Sequence, residues 1–153
     1  MRVVYDIEAN GFTPDVIWCV VCYDLDTQEY HVFTEADKFV LFAANVDTWI
    51  GHNVISYDNY WIEKLWGYHI PVSKVVDTMV LSRMFNRYWV DRGTKKTTST
   101  RKKHSLAYWG EQLGFPKGDF TDFSMYSEEM LQYCIQDVKV TTKVYQCLMK
   151  ENR

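Results

Sequence analysis

The sequence predicts an α/β protein whose mixed β-sheet is flanked by helices. Three short segments rich in β-branched and apolar residues come first, at residues 3–7, 16–23 and 29–33. Their apolar residues are spaced as in strands. Segments with helical spacing then alternate with short apolar segments, which is the pattern of strands joined by helices. Together the two patterns indicate a mixed sheet.

Turn residues connect the first three strands. Gly11, Thr13 and Pro14 separate the first pair, and residues 24–28 form a short loop before the third strand. Because hairpin connections join antiparallel neighbours, we expect three antiparallel strands first.

Capping residues mark the later elements. Thr34 is placed to cap a helix over residues 35–44, and Ser56 is placed to cap a helix that runs from 57 to 65 or 66 and ends at Gly67. We further expect strands at 47–52 and 75–76, and helices at 78–85, at 105–113 and from the cap Ser127 to about residue 149.

Length and composition favour one domain with a core. The chain has 153 residues, of which 47% are apolar and 16% aromatic, so disorder of the whole chain is excluded. No apolar run reaches the roughly 18 residues of a membrane span, and the first strand begins without the regions of a signal peptide. We expect a soluble cytoplasmic protein without a membrane partner, in the host cytoplasm if the protein is viral.

Cys19 and Cys22 form a C-x-x-C pair that invites a zinc or redox interpretation. They lie in a predicted strand, where residues three apart point to opposite faces, so the two thiols could not share one metal. We therefore expect buried core cysteines in a reducing compartment.

Four acidic residues and one tyrosine stand in settings that could hold metal ions. Asp6 and Glu8 are two residues apart on the first strand and share a face, Asp58 opens a predicted helix, and Tyr133 shares a helix face with Asp137. Carboxylate oxygens suit hard divalent cations, and phosphoryl chemistry uses two such ions about 3.5–4 Å apart. Taken alone, each position has an ordinary explanation as a solvated or capping carboxylate.

The order and spacing of these positions, taken together, indicate a function more specifically than any one position does. In the order D-x-E, N-x₄-D and Y-x₃-D, the chain resembles the DEDDy 3′–5′ exonucleases, which have an RNase H-like (DnaQ-like) fold. It is similar over nearly its whole length to the proofreading exonuclease domain of bacteriophage family A DNA polymerases. The segments that carry this resemblance are DIEAN at 6–10, DTMVLSR at 77–83, HSLAYWG at 104–110 and YCIQDV at 133–138.

The resemblance implies a role for each site residue. Asp6, Glu8 and Asp137 would hold one divalent ion, Mg²⁺ or Mn²⁺, and Asp6 would share a second ion with Asp58. Tyr133 would position the attacking water.

Other residues are implied in substrate binding. Phe12 would stack on the terminal base, and Asn53 would touch the substrate backbone. Residues 86–103 form a predicted mobile loop with seven basic residues against Asp91. That loop fits phosphate binding or, alternatively, a solvated loop. Its candidate phosphate contacts are Lys95, Lys96, Arg101, Lys102 and Lys103.

The expected function is metal-dependent 3′–5′ exonucleolytic hydrolysis of single-stranded DNA to nucleoside 5′-monophosphates by one domain over residues 1–153. The chain leaves no room for polymerase domains, so it is either an excised domain or a stand-alone nuclease. We expect the stand-alone nuclease, with a polymerase partner in trans as an option. Two alternatives stay open: a DEDDy exoribonuclease acting on RNA, and a non-catalytic nucleic-acid-binding or polymerase-accessory module.

Overall fold

The computed structural model describes residues 1–85 and 103–151. Five strands form one mixed sheet, and helices flank it, as the sequence predicts. The strands are β1 (Arg2–Ala9), β2 (Ile17–Asp24), β3 (Tyr30–Phe33), β4 (Thr48–Gly51) and β5 (Val75–Asp77).

The order of the strands across the sheet is β3-β2-β1-β4-β5. The strand order differs from the expected one, in which the three antiparallel strands come first. Instead, β1 lies in the centre of the sheet, between β2 and β4. β1 and β2 pair antiparallel, as do β2 and β3, whereas β4 pairs parallel with β1 and β5 pairs parallel with β4. The hairpin occupies one edge of β1, so the crossover strand β4 can pair only with the other edge.

Five helices complete the described elements: α1 (Ala36–Ala43), α2 (Asp58–Trp66), α3 (Thr78–Phe85), α4 (Leu106–Gln112) and α5 (Glu128–Glu151). A short 3₁₀ turn, Val72–Lys74, precedes β5. Among these described segments, no helix is long and apolar enough to cross a membrane.

Two of the predicted helix caps are wrong. α1 begins later than expected, with Glu35 rather than Thr34 at its cap position and no capping bond from its side chain. α2 is preceded by Tyr57, because the Ser56 hydroxyl donates to Asn53 Oδ1 at 2.6 Å instead of capping the helix. The loop before α2 therefore uses its polar side chains to hold its own shape.

Serine caps begin the two later helices: the cap at Ser127 was predicted, whereas Ser105 was predicted as the first helical residue and is the cap instead. Ser105 Oγ accepts a hydrogen bond from the Tyr108 backbone N–H at 3.2 Å, at the start of α4. Ser127 Oγ accepts one from the Met130 N–H at 3.1 Å, at the start of α5. Each bond satisfies a donor that the first turn of a helix leaves free.

Alternation along β1 sorts its side chains between the two faces of the sheet. Val3, Tyr5 and Ile7 pack in the core beneath α1 and α2, whereas Val4 packs on the other face against α5. Cys22 packs in the first of these cores and Cys19 in the second, as expected for buried core cysteines. All four cysteines are free thiols. On its outer side, α5 packs against Leu81 of α3 and Trp109 of α4.

Asp77, at the end of β5, fixes the loop that leads into α2. Its Oδ1 accepts hydrogen bonds from the backbone N–H groups of Asn53 and Met79, both at 2.9 Å, and its Oδ2 accepts from Ile55 at 3.1 Å. Asn53 has a φ of 61°, in the left-handed region that asparagine tolerates. The bonds from Asn53 and Ile55 hold this loop in one conformation, and the bond from Met79 joins the same carboxylate to the start of α3.

Replacing Asp77 with alanine should destabilise the fold. The variant leaves four backbone N–H groups without this acceptor, those of Asn53, Ile55, Met79 and Val80, and Asp77 is itself only 5% exposed. We expect Asp77→Ala to lower the free energy of unfolding by about 2–5 kcal/mol in urea denaturation. The exposed Asp37, whose carboxylate accepts only from the adjacent Lys38 N–H, is the matched control, and Asp37→Ala should cost less than about 0.5 kcal/mol. Equal stability of the two variants would contradict this role.

Candidate metal centre

A cleft of about 600 Å³ lies where the parallel strands end. This edge of the sheet is where open α/β folds bind ligands, because several strands and loops terminate together there. The cleft brings together seven of the residues predicted from the sequence: Asp6, Glu8, Phe12, Asn53, Asp58, Tyr133 and Asp137.

Backbone geometry places the first three acids. Asp6 and Glu8 lie on the α5 side of β1, and Glu8 is 6% exposed. Pairing between β1 and β4 ends at Val4, which leaves the N–H of Ile7 without a strand partner on that side. Asp58 Oδ2 accepts that N–H at 3.2 Å, so the start of α2 is fastened beside the two strand carboxylates.

α5 supplies the fourth carboxylate. Asp137 is 3% exposed, and its Oδ2 lies 3.1 Å from the ammonium of Lys117. Asp137 Oδ1 is buried and has no hydrogen-bond partner among the described residues. A buried carboxylate oxygen normally has a partner, so this atom is available to a ligand.

Tyr133 lies one helical turn before Asp137. The Tyr133 ring packs against Phe120 and Phe123, whose ring centroids lie 5.8 and 6.1 Å from its centroid. Lys117 Nζ lies 5.0 Å from the centroid of the Tyr133 ring. Burial raises the pKa of the Tyr133 phenol, while the hydrogen bond with Lys117 works in the opposite direction. The phenol therefore keeps its proton at neutral pH.

Lys117 is held in the cleft by its own segment. A Cβ on Gly110 would lie 2.9 Å from the Phe115 carbonyl oxygen and 3.2 Å from the Lys117 nitrogen, so only glycine lets this segment cross α4 so closely. Gln136 Nε2 donates to the Pro116 carbonyl at 2.9 Å and ties the segment to α5. Burial lowers the pKa of Lys117, but the charge of Asp137 and the hydrogen bonds with Tyr133 and Asp137 together outweigh burial and raise the pKa, so Lys117 is cationic.

Burial raises the pKa of each of the four carboxyl groups. The pKa rises to about 9 for Glu8, about 7 for Asp58 and about 6 for Asp137, and it lies well above its usual range for Asp6. Repulsion from Asp58, Asp137 and Glu8 adds to the rise at Asp6, and Lys117 opposes it. One lysine does not offset four carboxylates, so this site favours binding of further positive charge.

The residues present fit a divalent cation. Ligand atoms of Asp6, Glu8 and Cys134 all lie within 4.8 Å of one another. Asp137, whose buried Oδ1 has no hydrogen-bond partner in the part of the chain that the structure describes, lines the same cleft. A donor set dominated by carboxylate oxygens is the one that Mg²⁺ and Mn²⁺ prefer.

The predicted substrate-binding residues fall into two groups. Phe12 is 95% exposed beside the cleft, and Asn53 stands at the cleft with its backbone held by Asp77. Lys103 is half-buried and is not part of the cleft lining. Lys95, Lys96, Arg101 and Lys102 lie outside the described residues.

Sequence reasoning missed two residues of the site. Lys117 follows α4 in a segment without periodicity or a charge pattern, so no sequence signal distinguished it from other lysines. Cys134 was not singled out as a site residue; it is buried in the core, and its Sγ lies 3.6 Å from Asp6 Oδ2. The sequence feature that could have identified Cys134 is its position three residues before Asp137, which places both residues on one face of a helix.

Comparison with known proteins places the chain beside DNA polymerases. No protein-family model matches the sequence. The DNA-directed DNA polymerase of Escherichia phage T7 is 28% identical over 191 aligned residues, which cover 97% of this chain and 27% of that protein. The DNA-directed DNA polymerase of Enterobacteria phage T3 is 28% identical over 190 residues, covering 97% of this chain and 26% of that protein. The chain thus spans about a quarter of the length of these relatives.

A solved structure has the same fold. The family B DNA polymerase from the hyperthermophilic archaeon Pyrobaculum calidifontis superposes with a TM-score of 0.69 at 16% identity, over 97% of this chain and 24% of that chain. At this identity the likeness concerns the fold alone. It fits the RNase H-like architecture that the sequence resemblance implies.

The raised carboxyl pKa values predict how pH affects the metal-free protein. Above its ordinary pKa of 4.5, Glu8 is ionised in the unfolded chain but holds its proton in the folded protein up to about pH 9. The folded state therefore binds more protons in that window, and its stability falls as pH rises, by up to about 1.4 kcal/mol per pH unit for each such carboxyl.

The measurement is the melting temperature in EDTA between about pH 7 and pH 9, above the range in which histidines titrate. We expect it to fall with pH, and we expect added Mg²⁺ to raise it most at the upper end. Glu8→Gln should flatten the slope, since its amide does not titrate. A melting temperature that is constant or rises with pH in EDTA would contradict the electrostatic account of the cleft.

Proposed function

We propose that this region is a metal-dependent 3′–5′ exonuclease that hydrolyses single-stranded DNA to nucleoside 5′-monophosphates. The observation that carries the proposal is the convergence of Asp6, Glu8, Asp58, Tyr133 and Asp137, from three elements far apart in sequence, on one cleft. Hydrolysis follows from the carboxylates, whereas the direction and the product rest on the resemblance to DEDDy exonucleases.

The carboxylates have distinct roles in this proposal. Asp6, Glu8 and Asp137 hold one divalent cation, and Asp6 with Asp58 holds the other. When bound, two Mg²⁺ or Mn²⁺ ions supply activation of the attacking water and stabilisation of the leaving 3′ oxygen. The hydrogen bond from the Ile7 N–H to Asp58 keeps that carboxylate oriented towards the cleft.

Tyr133 orients the attacking water. Its phenol remains protonated because burial raises its pKa, so it can donate or accept a hydrogen bond at a fixed position. Phe120 and Phe123 restrict the ring on two sides. A tyrosine held in this way orders the water without taking its proton.

Lys117 makes the cleft less repulsive towards a phosphodiester. It is a cation among carboxylates, and its charge lowers the pKa values of Asp6, Glu8 and Asp137 against the effect of burial. The same charge attracts a nucleic-acid backbone. Lys117 therefore supports the ionised carboxylates and the substrate together.

The mouth of the cleft accounts for a preference for unpaired ends. Phe12 presents its ring almost completely to solvent, which suits stacking on a terminal base irrespective of sequence. Asn53 lines the same cleft, and its backbone N–H is held by Asp77. Phosphate contacts from Lys95, Lys96, Arg101 and Lys102 remain part of the proposal.

DNA is the substrate class that the comparisons favour. Both phage relatives are DNA-directed DNA polymerases, and the archaeal structure is also a DNA polymerase. We infer that the region acts on DNA 3′ ends, with or without a polymerase partner.

The proposal is tested by digestion of 5′-labelled DNA and RNA oligonucleotides with Mg²⁺ or Mn²⁺. We expect a ladder that shortens from the 3′ end on single-stranded DNA, with slower digestion of RNA. Asp6→Asn and Asp137→Asn should each lower the rate at least about a hundredfold, because removing a ligand costs at least as much as removing its supporting partner. Faster digestion of RNA would favour the exoribonuclease alternative.

One further variant is a control, and another tests the role of Tyr133. Asp24→Asn changes an aspartate that is also buried, at 3% exposure, but lies at the end of β2 and binds the neighbouring turn, so its rate should match the wild type. Tyr133→Phe keeps the ring and removes only the hydroxyl, and should cost less than Asp6→Asn. If the protein binds nucleic acid but hydrolyses none of it with Mg²⁺ or with Mn²⁺, the proposed enzymatic activity is wrong and the accessory-module alternative is favoured.

A further inference from the structure

Cys134 joins the carboxylate cluster from beneath β1. It lies on α5, is fully buried and packs with Val4, Cys19 and Val21. Its thiol lies 3.6 Å from both the Asp6 main-chain oxygen and Asp6 Oδ2. The thiol is thus in contact with a carboxylate that the proposed function assigns to metal binding.

One separation in this group, that of the hydrogen bond from the Cys134 thiol to Asp6 Oδ2, equals the ligand spacing of a tetrahedral cation. Ligand atoms of Asp6, Glu8 and Cys134 fall within 4.8 Å of one another. Bonds of about 2.3 Å to sulfur and about 2.1 Å to oxygen at a tetrahedral angle place the two ligand atoms about 3.6 Å apart. The observed separation between Cys134 Sγ and Asp6 Oδ2 is 3.6 Å.

A second observation points to a ligand at the same place. Asp137 follows Cys134 by three residues on α5, so the two share a helix face. Asp137 Oδ1 is buried without a hydrogen-bond partner among the described residues, and the residue lines the cleft with Asp6 and Glu8. Asp137 stands beside the group of Asp6, Glu8 and Cys134 and is not one of the three residues whose ligand atoms lie within 4.8 Å of one another.

We propose that Cys134, together with Asp6 and Glu8, ligates a thiophilic divalent cation such as Zn²⁺ or Cd²⁺. As the metal–sulfur bond forms, the S–H bond breaks and its proton leaves to solvent. The inference rests on the proposed metal site, and it adds a thiol to a set of ligands that is otherwise made of oxygen.

Because of the Cys134 thiol, hard and thiophilic divalent cations bind this site differently. Mg²⁺ is a hard cation that uses oxygen ligands and gains little from sulfur, whereas Zn²⁺ and Cd²⁺ gain from a thiolate. Both classes need Asp6 and Glu8, so they bind in competition. A thiophilic cation therefore blocks the Mg²⁺ form.

Cadmium titration of the full chain tests the assignment through the thiolate-to-metal charge-transfer absorption in the ultraviolet. We expect a band that saturates at one Cd²⁺ per chain and declines when excess Mg²⁺ is added. Cys134→Ala should abolish the band and weaken Cd²⁺ binding at least about tenfold. Cys134→Ser, which keeps the side-chain size, should do the same.

Cys22→Ala is the matched control, because Cys22 is equally buried but lies on the opposite face of the sheet. It should keep the band at full intensity. A band that persists in both Cys134 variants, or one that disappears with Cys19→Ala and not with Cys134→Ala, overturns the assignment.

The outcome separates this inference from the proposed function. Wild-type hydrolysis of single-stranded DNA with Mg²⁺ is measured on the same sample. Hydrolysis without a cadmium band overturns the thiol ligand alone, and a cadmium band without hydrolysis overturns the exonuclease alone.

Discussion

The electrostatic cost of gathering buried carboxylates is the constraint on which the rest of the site depends. Glu8, Asp58 and Asp137 are each at most 6% exposed, and Asp6 feels the charges of all three. Such a cluster cannot be fully ionised without nearby positive charge. Lys117 supplies part of that charge, and divalent cations would supply the remainder. The carboxylate cluster therefore lowers the stability of the cation-free protein, and the same cluster gives the site its affinity for cations.

The fold holds this unfavourable cluster by fixing its members from separate elements. Asp58 accepts a hydrogen bond from the Ile7 N–H of β1, and Asp77 holds the loop before α2 through the backbone N–H groups of Asn53 and Ile55. His52 extends the bracing: its Nε2 donates to the His104 carbonyl at 2.8 Å, and burial lowers its pKa to about 4, so it is neutral. None of these bonds uses a cation, so the cleft is shaped before any cation binds.

Local patterns accounted for a large part of this structure. The alternation along β1 predicted that Asp6 and Glu8 share a face, and helical spacing predicted the same for Tyr133 and Asp137, because both depend only on backbone geometry. The cap at Ser56 was predicted wrongly because a serine can satisfy a neighbouring asparagine as well as a helix end.

Other features depend on contacts between distant segments, which periodicity does not record. The central position of β1 follows from which of its edges the crossover strand can reach. Lys117 reaches the cleft only because Gly110 admits its segment against α4. The contact between Cys134 and Asp6 joins residues 128 positions apart. Each of these needs the tertiary fold before it can be inferred.

The central claim is that four carboxylates from β1, α2 and α5 form one cation site. Counting bound Mn²⁺ by electron paramagnetic resonance tests it most directly, because it requires neither substrate nor turnover. The account predicts about two Mn²⁺ ions per wild-type chain and loss of both in Asp6→Asn, whose carboxylate both ions share. Undiminished Mn²⁺ binding by Asp6→Asn, or no binding by the wild type, would contradict it.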